Sequence, residues 1–133
     1  MRHEQTGMRG SALHEHLVDL ARFDLHTRLR QRGYLWAASQ SPELIPEQFG
    51  PRQYADAILW SEMARPDGEP TTTSEPVYPP IVVEVGEFNP EKWPTWLPVL
   101  HVAFNGRVSL VNPTGRKFEE IVREEMLALC AER

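Results

Sequence analysis

Two carboxylates stand inside runs that read as β-strands: Asp56 in Ala-Asp-Ala-Ile-Leu and Glu84 in Val-Val-Glu-Val-Gly. A charged group in an apolar strand costs several kcal/mol unless it is paired or holds a cation, so an acid at such a position calls for a reason. If the two strands are neighbours, their oxygens can converge on Mg²⁺, a hard ion that binds phosphate and activates a water for in-line attack. The alternatives are an outward-facing Glu84 on an edge strand, or a pairing with an arginine of the first helix. Lys92, eight residues past Glu84, is either a cation for this site or an ordinary surface lysine, and Glu87 is an extra ligand or the exposed start of a loop.

The elements that must position these groups follow from periodicity. Residues 1–9 have none and read as a frayed, disordered leader, and 10–133 as a single domain. From Ser11, an N-cap, the apolar positions Leu13, Leu17, Leu20, Ala21, Leu25 and Leu29 fall at helical spacing until Gly33. The opposite face carries His14, Asp19, Arg22, His26, Arg30 and Arg32, and the arginines near its end suit the helix dipole. Tyr34 to Ala38 reads as a short strand, 39–53 as loop, and Tyr54 to Trp60 as a strand by its alternation. The polar, Pro-rich stretch from Arg65 to Pro80 reads as a long exposed connection.

Ile81 to Val85 is the strongest strand signal, apolar on both faces except for Glu84. Asn89-Pro90 has the pattern of an N-cap with Pro at the first helical position, opening a short helix that Pro94 and Pro98 keep from extending. Val99 to Phe104 and Arg107 to Val111 form a hairpin through Asn105-Gly106, the preferred type I′ dipeptide. Asn112-Pro113 repeats the cap signal ahead of a terminal helix marked by Phe118, Ile121, Val122, Glu125 and Leu129, with a solvated Glu-rich face. The fold class is therefore α/β in the α+β sense, one mixed sheet flanked by an N-terminal and a C-terminal helix.

This order and these residues resemble the PD-(D/E)XK nuclease superfamily, and more loosely its Holliday-junction-resolvase-like members. Gly10-Ser11-Ala12-Leu13-His14-Glu15 stands where such folds open their first helix beside an acid. Tyr54-Ala55-Asp56-Ala57-Ile58 stands at the strand with the first acid, and Val83-Glu84-Val85-Gly86 at the acid-x-Lys strand. The resemblance spans residues 10 to 104. It implies a restriction-endonuclease-like fold, Mg²⁺ held by Asp56 and Glu84 with Glu15 in support, and a phosphodiester substrate in DNA or RNA. Two positions depart from the pattern: Ala55 precedes the first acid, and Gly86 occupies the place of the lysine that positions the attacking water and stabilises developing charge. Lys92 is the only lysine able to substitute from a shifted position.

The remaining features bound the function. The chain has 133 residues, a net charge of -5 and a single cysteine, Cys130, which reads as a small core residue. One thiol makes no internal disulfide and no Cys-rich zinc site. The charge disfavours a nonspecific DNA coat, and the acidity is concentrated between residues 37 and 100, with three basic residues against ten acidic. His14 and His16 lie too far apart around a helix to share a metal, and His3 and His26 add no ligand spacing. A Gly-rich phosphate loop is absent, and with it the P-loop and Rossmann classes. No apolar run approaches the length of a membrane span, and the sequence has no signal-peptide core, so the expected location is cytoplasmic. Phe88, Trp93 and Trp96 form a Pro-punctuated aromatic segment after Glu84 that either stacks on unpaired bases or a protein partner, or caps the sheet as core. A catalytically inactive nuclease-like fold serving as a protein-interaction or accessory module is the rival reading. A homodimer is suggested only by how often small α/β proteins pair.

Overall fold

The computed structural model describes residues 12–34, 43–44, 54–59 and 79–132. The expected leader, the Ser11 cap, the strand over 35–38 and most of the 65–80 connection lie outside the described residues.

The first helix, α1, runs over 12–31 and contains a π-helical turn at Leu20–Asp24. Its sequence explains the turn. Leu13, Leu17, Ala21, Leu25 and Leu29 recur every fourth residue, and each such step overshoots a full α-helical turn by about 40°. Left uncorrected, the stripe would wind away from the core. The Leu25 N–H instead reaches back five residues to the Leu20 carbonyl, and the wider turn brings the stripe back into line. Leu17, Ala21, Leu25 and Leu29 are all fully buried. The helix ends in a Schellman motif, with Gly33 N–H on the Arg30 carbonyl at 3.0 Å and Tyr34 N–H on the Leu29 carbonyl at 3.0 Å. The left-handed residue this requires is Gly33, at φ 95°.

Strands β1 (Glu43–Leu44) and β2 (Tyr54–Ala55) pair antiparallel as a two-stranded ribbon. The main sheet has the order β3 (Ala57–Leu59), β4 (Ile81–Val85), β5 (Val99–Val102), β6 (Val108–Val111). β4 is antiparallel to β3 and parallel to β5, and β6 is antiparallel to β5, so the sheet is mixed as the residue pattern predicts. Alternation puts Val83, Val85, Leu100, Val102 and Val108 on one face and Val82, Glu84, Val99, His101 and Ser109 on the other. β4 is buried along its whole length, which accounts for its continuous apolar run.

Four local expectations are corrected. The stretch over 39–53 is not all loop, since Glu43–Leu44 pairs with Tyr54–Ala55 as a strand. Tyr54 to Trp60 is not one strand: the ladder breaks at Asp56, for a reason that belongs to the site. The short helix after Asn89 does not form. Pro94 and Pro98 lack the N–H groups that the carbonyls of Pro90 and Pro94 would need, and the segment makes two turns instead, with Lys92 N–H on the Asn89 carbonyl and Leu97 N–H on the Pro94 carbonyl, each at 3.1 Å. The β5–β6 hairpin forms, but not through a type I′ turn, which needs two left-handed residues. Only Gly106 is left-handed, and its N–H closes the turn on the Ala103 carbonyl at 2.9 Å.

The terminal helix, α2 (Lys117–Glu132), begins after Arg116 rather than at Pro113, because Gly115 at φ 90° interrupts the helical path. Its Glu-rich face is not wholly solvated. Glu125 and Glu132 turn to α1: Arg28 reaches Glu132 at 2.7 Å and Arg32 reaches Glu125 at 2.9 Å. Glu132, with help from Glu125, holds the Arg28 guanidinium above its ordinary pKa. Glu119 is 1% exposed and accepts from the Thr114, Gly115 and Arg116 N–H groups, the Thr114 hydroxyl and the Arg116 guanidinium. The same guanidinium donates to the Pro79 carbonyl at 3.0 Å, tying the start of α2 to the entry of β4. Tyr34 closes the gap between the helices by packing on Phe118 at 5.2 Å.

Glu119→Ala strips the acceptor from all of these donors at once. It should lower unfolding stability by about 3 kcal/mol in urea titrations, while Glu120→Ala, on the exposed side of the same turn, should change it by less than about 0.5 kcal/mol.

Candidate functional site

Asp56 interrupts its strand because two residues there face one. Its N–H donates to the Val83 carbonyl at 3.2 Å, although Val83 is already the register partner of Ala57. This is a β-bulge, which bends a strand and re-aims the side chain at the extra position. The freed carboxylate takes two partners. Oδ2 accepts the Val85 N–H at 2.8 Å, in place of a strand carbonyl, and Oδ1 lies 3.1 Å from His14 Nε2. The first bond fixes Asp56 to the peptide unit that directly follows Glu84.

Glu84 is 8% exposed near the end of β4 and answers its own burial differently. Lys92 Nζ donates to Glu84 Oε1 at 2.9 Å, so the shifted lysine does reach the strand acid. The turns at Asn89 make this return possible: the Asn89 side-chain oxygen accepts the Glu91 N–H at 3.0 Å and its carbonyl accepts the Lys92 N–H. Lys92 also lies 5.0 Å from the centre of the Trp93 ring, a cation–π contact on its other side. Neither acid pairs with an arginine among the described residues.

The other sequence candidates separate. Glu15 is an exposed side chain with Oε1 3.8 Å from His14 Nδ1, and it makes no contact with Asp56 or Glu84 among the described residues. Glu87 is exposed. Trp93 is core, at 3% exposure, whereas Trp96 is 49% exposed, and Phe88 is half-buried against His101 with ring centres 5.1 Å apart. Among the described residues no group of three or more His, Cys, Asp or Glu side chains converges as a metal cage. The available donors are two carboxylates on neighbouring strands, one turned toward α1 and one toward the crossover between β4 and β5. Glu84 spends one oxygen on Lys92 and its Oε2 has no protein donor among the described residues.

Two neighbours escaped the sequence reading. The sequence marks His14 only as a possible zinc ligand, and its approach to Asp56 depends on how α1 lies across the sheet. His101 stands opposite Glu84 in the parallel register of β4 and β5 and places Nε2 2.6 Å from the Gly86 carbonyl. An alternating strand read by itself carries no sign of either contact.

Gly86 shows why the lysine of the resembled motif is missing from its usual place. The residue sits at φ 97°, and a Cβ there would lie 2.7 Å from the Phe104 ring. Its N–H continues the parallel ladder to the Val102 carbonyl at 2.9 Å, so the backbone is not free to move away. A side chain here would have to displace the Phe104 ring and hold a strained left-handed backbone, and the ammonium on Glu84 comes instead from Lys92, six residues further along.

Gly86→Lys should therefore fail to supply a second cation to Glu84. It is expected to lower stability by about 2 kcal/mol or more in thermal or urea unfolding, from the left-handed backbone and the overlap with Phe104 together. Among the described residues no helix is long and apolar enough to cross a membrane. Compared with protein-family models, with curated proteins and with solved structures, the chain matches none.

Proposed function

We propose that this chain is a divergent PD-(D/E)XK-like protein that acts as a Mg²⁺-dependent nuclease on DNA or RNA in the cytoplasm. In this reading Asp56 and Glu84 hold the ion, and Lys92 supplies the ammonium that the motif places two residues after its second acid. The observation that carries it is the double tie at the end of β4. Asp56 is bonded to the Val85 N–H, one residue past Glu84, and Lys92 is bonded to Glu84 itself. Asp56 and Lys92, distant in sequence, are thus each tied to the same end of β4.

The donor set suits the ion. Mg²⁺ binds through one or two carboxylates and keeps several waters, so a pair of acids suffices where a cage of three would not be needed. When bound, the ion supplies polarisation of the scissile phosphate and a water of lowered pKa. The chain's own groups do the rest. The Lys92 ammonium, on the same carboxylate, offsets charge that builds on the phosphate oxygens, and Trp93 keeps that ammonium against an apolar wall. His14 holds the Asp56 carboxylate in one orientation from the side of α1.

Two observations favour the rival reading, a catalytically inactive fold that binds a protein. Both Asp56 oxygens already have protein neighbours, and the half-exposed Trp96 offers an aromatic anchor.

Calorimetric titration with Mg²⁺ or Mn²⁺, combined with cleavage assays on single-stranded, duplex and branched DNA and on RNA, separates the two. The wild type should bind the ion and cleave. Glu84→Gln should lose both, and Lys92→Met should keep ion binding while losing cleavage by roughly 10²-fold or more. Absence of both heat and cleavage in the folded wild type sinks the nuclease and leaves the interaction module.

A further inference from the structure

The crossover from β4 to β5 has no helix to stiffen it, yet it must return Lys92 to a buried carboxylate. The geometry points to His101 as the positioning residue that holds this crossover in register, and so keeps Lys92 on Glu84. For catalysis this rests on the nuclease reading above, while the placement of Lys92 does not.

His101 is set beside Glu84 by the parallel register, on the same face of the sheet. From there it touches the crossover at two points. Its Nε2 lies 2.6 Å from the Gly86 carbonyl, and its ring packs on Phe88 at 5.1 Å. A carbonyl can only accept, so Nε2 carries the proton and donates. Gly86 is then held to β5 through both of its backbone polar groups, the N–H by the Val102 carbonyl and the C=O by His101. This matters because Gly86 is the most permissive residue in the segment and stands where the chain leaves the sheet. Fixing its carbonyl fixes the direction in which residues 87–92 depart. The Asn89 turns then carry that direction to Lys92. The Phe88 contact locks the imidazole in the plane from which it donates.

The test uses the fact that the chain has two lysines, Lys92 and Lys117. Lys117 is exposed at the start of α2 and serves as an internal reference. Trace acylation of the intact protein with N-hydroxysuccinimidyl acetate, read by peptide mass spectrometry, gives the ratio of labelling at the two sites. In the wild type Lys92 should label several-fold more slowly than Lys117. His101→Ala should raise the ratio by about threefold or more by loosening the crossover, and His101→Gln, whose amide can still donate to the Gly86 carbonyl, should keep it near the wild-type value. In the cleavage assay His101→Ala should lower kcat by roughly tenfold with KM changed little, and His101→Gln should restore most of it.

A folded His101→Ala protein whose Lys92 stays as protected as in the wild type overturns the proposal, whether or not the wild type cleaves. Loss of protection in His101→Ala, with rescue by His101→Gln, supports it. The same labelling pattern in a wild type that cleaves nothing removes the nuclease reading and leaves His101 as the residue that places Lys92. If His101→Ala does not fold, His101→Asn, which keeps an amide but is too short to reach Gly86, takes its place with the same expected loss of protection.

Discussion

Glu84 is a carboxylate within a buried strand, and the local structure is organised around giving that charge a partner. Without Lys92 the group would be buried and unpaired, at a cost comparable to a large share of a small domain's stability. The partner comes from a crossover that has no regular structure of its own. Each of its turns is specified separately: a left-handed Gly86, an Asn89 side chain that caps a turn, and prolines that forbid a helix. Paired in this way, the acid can stay in the sheet and still present an oxygen.

Asp56 meets a similar demand by another route. A bulge turns its carboxylate into a substitute for a strand carbonyl, so the acid completes the ladder at Val85 while reaching His14 on α1. The two solutions are complementary. One acid ties the sheet to the first helix and the other ties it to the crossover, and the Val85 peptide links them. Glu119 shows the same logic away from the site, where one buried carboxylate gathers the donors at the start of α2.

Much of this was legible in the residues. An acid inside an apolar run signals an unmet need, and both Asp56 and Glu84 were found by that signal alone. Lys92 was identifiable because the chain offers so few lysines, and the helices and hairpin follow from periodicity and turn residues. What the sequence withheld was non-local. The partnership of His14 with Asp56 depends on how a helix crosses a sheet, and that of His101 with Gly86 depends on strand register. The absent helix after Asn89 was foreshadowed by Pro94 and Pro98, whose effect is to remove its hydrogen bonds altogether rather than to shorten it. The bulge at Asp56 is silent in sequence, since an alternating run reads the same with or without an extra residue in its partner's frame.

The π-helical turn at Leu20–Asp24 joins two halves of α1 that both enter the core. Leu17 is buried before it, on the half that brings His14 to Asp56, and Leu25 and Leu29 are buried after it. The turn sets the angular phase between them, as a crank sets the angle between two arms of one shaft. Chain length within those few residues is therefore buffered: a single-residue deletion there closes the wide turn into an ordinary α-turn and leaves the two halves in nearly the same phase, whereas the same deletion elsewhere between His14 and Leu25 would rotate the imidazole about 100° relative to the buried stripe.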